Sequence, residues 1–76
     1  MPPRARITIR NSIRALRFQA GEMTQQDLAD RIGVSRQTIN AIEGGKYAPT
    51  LEVAFHIAHI FNRPLHDVFH CDITTT

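Results

Sequence analysis

The stretch Gln25-Gln26-Asp27-Leu28-Ala29-Asp30-Arg31-Ile32-Gly33-Val34-Ser35-Arg36-Gln37-Thr38-Ile39-Asn40-Ala41-Ile42-Glu43-Gly44 decides the fold. Counting from Gln25, apolar residues take the fourth (Leu28), eighth (Ile32), tenth (Val34), fifteenth (Ile39) and eighteenth (Ile42) places. This is the rhythm of two amphipathic helices with one interruption between them. The interruption is Gly33, which adopts positive φ at no steric cost and suits the end of a helix. The fifth place is Ala29, small where two crossing helices must approach closely. Thr24 and Asp27 form a capping box for the first helix, and Ser35 caps the second. A chance helical hairpin rarely meets all these restrictions together. The segment reads as two helices held at a fixed angle by a tight turn.

Outward from it, Asn11 to Ala20 shows looser helical spacing through Ile13, Leu16 and Phe18, with Gly21 as the stop. Arg6-Ile7-Thr8-Ile9 is short, β-branched and alternating, as in an edge strand. On the other side Gly44-Gly45 ends the second helix, and Lys46 to Pro49 form a loop. Thr50 caps a helix from Leu51 to Phe61, whose polar members Glu52, His56 and His59 fall, with Arg63 beyond it, on one narrow stripe. Its other residues are apolar, which predicts either the hub of the core or an oligomer interface. Pro64 opens a last helix, Leu65 to Val68, and Phe69 to Ile73 reads as a closing strand that pairs with Ile7 to Ile9. The expected fold is all-α, with five helices and a small two-stranded antiparallel sheet from the N- and C-terminal segments. One domain spans 7–73, its two-helix motif spans 25–44, and 1–6 and 74–76 are expected to be flexible tails.

Seventy-six residues allow one small domain and nearly exclude an active site between two lobes. With 42% apolar and 21% charged residues the composition is globular. The longest apolar run, Val53 to Phe55, is far too short for a transmembrane helix. No hydrophobic signal core follows Met1, and the lone Cys71 fits a reducing compartment, so a cytoplasmic protein is expected. So small a chain, with no disulfide, buries a marginal core and predicts a partner copy. The net charge is only +2, yet Arg4, Arg6, Arg10, Arg14 and Arg17 all fall in the first seventeen residues without one acid. Such asymmetry suits a polyanion at one end or face; a solvated arginine face would account for it equally.

Three runs together resemble the Cro/cI-type, XRE-like helix-turn-helix regulators of phages and bacteria. They are Thr24 to Ala29, Gly33 to Ile39, and Ile42-Glu43 with Gly45-Lys46-Tyr47 and Pro49. Leu51 to Phe69 further resembles small stand-alone regulators of the cytolysin-repressor kind, so the likeness covers roughly 9–70. It implies a lambda-repressor-like five-helix fold whose homodimers bind operator DNA. Gly44 departs from the pattern, which commonly has Asn there, and Gly21-Glu22-Met23 is one residue longer than in phage relatives.

With Ile39 and Ile42 inward, Gln37, Asn40, Ala41 and Gly44 point away from the core, flanked by Arg36 and Thr38. The N-terminal residues of such a helix enter the major groove, where Arg36 suits guanine O6/N7 and Gln37 adenine N6/N7. Asn40 reaches a base edge or a phosphate. The resemblance makes Thr24 and Gln25 a phosphate clamp at a helix N-terminus. Ser35 and Lys46 are candidate backbone contacts, and Tyr47 is either another or a loop-packing residue. The resemblance also pairs Arg17 with Glu43 between the first and third helices. Arg4 and Arg6 either reach the DNA backbone or an adjacent minor groove or belong to a solvated tail. The dimer face is expected at Ile60, Phe61, Leu65, Val68, Phe69, Cys71 and Ile73.

His56 and His59, and His66 and His70 beside Cys71, raise a metal site. With no CxxC or HExxH spacing, and with His56 and His59 on the polar stripe, the expectation is no metal and no other cofactor. Nothing suggests catalysis. The first reading is therefore a sequence-specific DNA-binding transcriptional regulator, a repressor acting as a homodimer on a palindromic operator. Double-stranded DNA is the partner, and no membrane or small-molecule ligand is expected. An antitoxin or a restriction–modification controller would use the same module. The rival from another class is a protein-interaction or metal-sensing module.

Overall fold

The computed structural model describes residues 5–75, in the order β1 (Ala5–Asn11), α1 (Ile13–Gln19), α2 (Gln25–Ile32), α3 (Arg36–Glu43), α4 (Leu51–Ile60), α5 (Leu65–Val68) and β2 (Phe69–Thr75). Five helices and one two-stranded sheet are the architecture the sequence predicts. Local chemistry sets most of the boundaries. At α2 the Asp27 N–H donates to Thr24 Oγ1 at 3.0 Å and the Thr24 N–H to Asp27 Oδ2 at 3.1 Å, closing the capping box. These bonds, the Thr24 backbone N–H first, hold the Asp27 carboxyl below its usual range. At α3 and α4 the Ser35 and Thr50 hydroxyls each accept a backbone N–H, from Thr38 and Val53, without the return bond. Gly33 ends α2 at φ 86°, a left-handed turn that a side chain would strain.

The first helix starts later than its spacing suggests. Asn11 stands opposite Phe69 as the last residue of β1, and Asn11 Oδ1 accepts the Ile13 N–H at 3.2 Å. Strand pairing therefore claims the residue that periodicity alone assigned to α1.

The core gathers Ile13, Leu28, Ile39, Ile57 and Val68, none with exposed surface, together with Ile42. Each helix sends at least one side chain into it, so the angle between α2 and α3 depends on all five. The fourth helix is less buried than its composition suggests. Ala54, Ile57 and Ala58 face inward, while Leu51 and Phe55 are 66% and 54% exposed.

The antiparallel sheet pairs Ile7 with Ile73, Ile9 with Cys71 and Asn11 with Phe69. Alternation puts Ile7, Ile9, Phe69, Cys71 and Ile73 on one face and Arg10 and Asp72 on the other. The pairing runs from Ala5 to Thr75, so Arg6 and Thr74, expected in tails, stand paired in the ladder. Arg4 lies outside the described residues. The sheet's apolar face is only partly covered, with Ile7, Ile9 and Ile73 at 62%, 45% and 63% exposure.

Candidate nucleic-acid interface

The candidate interface is the outer face of α3, and its polarity follows from the helix's inward side. Ile39 and Ile42 are buried, which turns Arg36, Gln37 and Asn40 into solvent. Ala41 and Thr38 are half-covered and flank this exposed row. Ser35 Oγ accepts the Thr38 N–H at 3.1 Å and lies 2.9 Å from Thr38 Oγ1, so both hydroxyls secure the helix start. The first turn of α3 contains no acid and begins with Arg36. The helix dipole and the guanidinium thus add to one positive end.

Two open clefts flank this face and share Gln25, the first residue of α2. One is bordered by Phe18, Thr24, Gln25 and Arg36. The other is bordered by Arg14, Gln25, Asn40, Gly44 and Lys46. Asn40 Nδ2 donates to Gln25 Oε1 at 3.4 Å, which links the two helices across their outer edges. The structure therefore brings Thr24, Gln25, Arg36, Asn40 and Lys46 to one side of the molecule. Tyr47 borders a different cleft, with Ile7, Ile9, Ala48 and Pro49, under the sheet.

The third helix is held at its last turn by Arg17 on α1. Its Nε and Nη2 donate to Glu43 Oε2 and Oε1 at 3.0 and 2.8 Å, and Nη1 donates to the Met23 carbonyl at 2.8 Å. The paired side chains are only 10% and 9% exposed. A bidentate pair with so little solvent fixes a distance and a plane together. This is the pairing the resemblance implies, and it engages α3 at its last turn, on the flank that Glu43 shares with Arg36.

Sequence reasoning missed two residues here. Asn11 Nδ2 donates to the Ile42 and Glu43 carbonyls at 3.0 and 3.4 Å, tying the end of β1 to the end of α3. Arg14 entered the sequence reading only as one of five arginines, yet it borders the cleft beside Lys46. No local spacing announces either contact, because the partners lie about thirty residues away.

The sequence profile of the helix-turn-helix family matches residues 13–68, which takes in all five helices. The chain belongs to the XRE-type helix-turn-helix family. An uncharacterized helix-turn-helix-type transcriptional regulator of Methanocaldococcus jannaschii is 57% identical over 47 residues, 62% of this chain and 71% of the relative. A second such protein, from Archaeoglobus fulgidus, is 46% identical over 61 residues, 80% of this chain and 86% of its own length. A third, from Methanothermobacter thermautotrophicus, is 45% identical over 65 residues, 84% and 93% of the two chains. These three relatives are archaeal; a Bacillus subtilis regulator, 39% identical over 61 residues, covers 80% of this chain and 91% of its own length. A candidate DNA-binding protein from Bacteroides fragilis has the same fold, with a TM-score of 0.72 at 22% identity, covering 82% of this chain and 98% of that one. As an XRE-type helix-turn-helix protein the chain is a DNA-binding regulator and not an enzyme.

One expectation needs correction. Val68, assigned to the dimer face, has no exposed surface in the single chain and belongs to the core. Ile60, Phe61, Leu65 and Phe69 are also packed against that core, which leaves Cys71 and Ile73 as the exposed members of the set. His66 and His70 have separate partners. His70 Nε2 lies 2.7 Å from Ser12 Oγ, and His66 Nε2 lies 3.7 Å from Asp67. Among the described residues no three His, Cys, Asp or Glu side chains converge as metal ligands. No described helix is long and apolar enough to cross a membrane.

Proposed function

We propose that the protein is a cytoplasmic, sequence-specific transcriptional repressor that binds a palindromic operator as a homodimer. The observation that carries this reading is the outer face of α3, where Arg36, Gln37 and Asn40 stand exposed on a helix anchored at its last turn by the Arg17–Glu43 pair. Arg36 and Gln37 open the helix and are the long side chains placed to read base edges. Thr24, Gln25, Ser35 and Lys46 supply backbone contacts, which set register without reading sequence. Thr38 packs beside the readers, and Tyr47 steadies the loop.

Dimerisation is supported by the uncovered apolar sheet face, Ile7, Ile9 and Ile73, which continues past Ala48 and Pro49 to Leu51. Two copies joined there would present two recognition helices, and a palindrome is the DNA counterpart of that two-fold axis. Repression follows by occlusion of a promoter.

The experiment is selection from a random duplex pool, followed by binding of the selected site by wild type and Gln37→Ala. The substitution should cost about 1–3 kcal/mol per half-site against the selected DNA. Binding to random DNA should change little, because a neutral amide neutralises no phosphate. An unchanged ratio between the two would overturn α3 as the reader. Light scattering at concentrations on the order of tens of micromolar should give a dimer, and a monomer would remove the two-fold part of the proposal.

A further inference from the structure

We propose that Arg14 and Lys46 form a two-sided clamp for one backbone phosphate of duplex DNA, a site that rests on the DNA-binding reading above. The clamp sits in a cleft of about 390 Å³ between the start of α1 and the end of α3. Arg14 and Lys46 supply its charge, and Gln25 and Asn40 its amide groups.

Charge bookkeeping favours an anion. Glu43 is the acid bordering the cleft, but both of its carboxylate oxygens are taken by Arg17. Among the described residues no carboxylate lies within ion-pairing distance of Arg14 or Lys46. Two uncompensated cations therefore share one open concavity. The end of a helix would ordinarily oppose an anion there, because its last carbonyls point outward. Here those carbonyls are covered. Ile42 O accepts from Gly45 N at 3.1 Å and from Asn11 Nδ2 at 3.0 Å, Ala41 O from Lys46 N at 2.9 Å, and Asn40 O from Gly44 N at 3.0 Å.

The same bonds make the site rigid. Gly45, at φ 73°, closes a Schellman turn that sets the backbone of Lys46 directly after α3. On the opposite wall the Arg14 guanidinium lies over the Phe18 ring, 5.8 Å from its centroid, one turn along α1. Asn11 joins the two walls through its bonds to Ile42 and Glu43. A guanidinium and an ammonium on fixed walls, with an amide edge between them, match the charge and acceptor oxygens of a phosphodiester. They carry no pattern that tells one base from another, so the ligand is the backbone.

The test measures affinity for a random-sequence duplex of about 20 base pairs between 50 and 200 mM salt. Arg14→Gln keeps the stem over Phe18 and removes the charge. Its slope of log affinity against log salt should be shallower by about one per bound chain, so it loses about three- to fourfold less affinity across this range than wild type does. Arg14→Lys should restore the slope, and thermal melting should be unchanged because Arg14 is exposed. Lys46→Gln should reduce the slope similarly. The double variant should show little further reduction, since one phosphate is lost only once. A wild-type slope in Arg14→Gln, or slope changes that add in the double variant, would overturn the shared clamp while leaving the DNA-binding reading intact. Failure of wild type to bind any duplex at low salt would overturn the DNA-binding reading, and the clamp with it.

Discussion

The same pair of functional groups, a guanidinium and a carboxylate, occurs in two regions of this molecule with opposite surroundings. Arg17 and Glu43 meet between α1 and the last turn of α3 with about a tenth of each side chain exposed. Arg10 and Asp72 meet on the outer face of the terminal sheet, 2.6 Å apart but 61% and 54% exposed. The outer pair is the shorter contact, and distance alone would rank it first. Solvent reverses the ranking. In the outer pair water screens the charges and offers each group a ready replacement partner. In the inner pair neither group has such a replacement, so breaking it strands a charge. The inner pair is thus a device for holding α3 at one angle, and the outer pair a modest stitch across β1 and β2.

This contrast can be broken at its strong end first. Glu43→Ala should destabilise the fold by about 3–5 kcal/mol, because it leaves the Arg17 guanidinium with the Met23 carbonyl as its one hydrogen-bond partner. A thermal melt checks this. Glu43→Gln, which keeps a hydrogen-bonding edge, should recover part of the loss. A melt of Glu43→Ala within error of wild type would mean that the buried pair is no more than a surface pair.

Arg17→Lys tests geometry apart from charge. Lysine keeps the cation but cannot offer the fork that engages both carboxylate oxygens and the Met23 carbonyl together. Urea unfolding should show a loss of about 1.5–3 kcal/mol, intermediate between wild type and Glu43→Ala. Its DNA affinity should fall by more than its stability predicts if the fork sets the angle of α3. Equal stability of Arg17→Lys and wild type would show that charge suffices.

The weak end should respond least. Asp72→Ala should lower the melting temperature only slightly, and added salt should erase the difference. Its pH dependence has a definite sign. The hydrogen bond from Arg10, then the guanidinium charge, hold the Asp72 carboxyl below its ordinary value of 3.8. A carboxyl depressed in the folded state contributes above the unfolded value and loses that contribution as pH falls through the folded one. Wild type and Asp72→Ala should therefore differ by a constant amount at neutral pH and converge below 3.8. A gap that widens in acid would contradict the assignment.

Much of this molecule was legible because its rules are local. Capping residues act three positions away, a left-handed glycine acts where it stands, and helical periodicity returns every few residues. Thr24, Gly33, Ser35 and Thr50 therefore mark α2, α3 and α4 in the sequence itself. The outward row Arg36, Gln37 and Asn40 followed from the inward Ile39 and Ile42 by the helical angle alone. The sheet, read from two alternating terminal segments, was legible for the same reason. The pair Arg17–Glu43 was implied by family resemblance, and no spacing rule would have found it.

Composition, periodicity and turn chemistry thus determined the five helices, the two strands and the exposed outer face of α3. Only the tertiary structure decided what each apolar or charged residue faces. It withdrew Val68 from any interface into the core, left Leu51, Phe55 and the sheet isoleucines in solvent, and set Arg14 beside Lys46. It also gave Asn11 to the strand and spent its amide on the end of α3. The reason is physical: a helix's own bonds fix which residues share a face, but not which face meets which. That choice belongs to the packing of all the elements at once, because each side chain that fills the core denies the space to another.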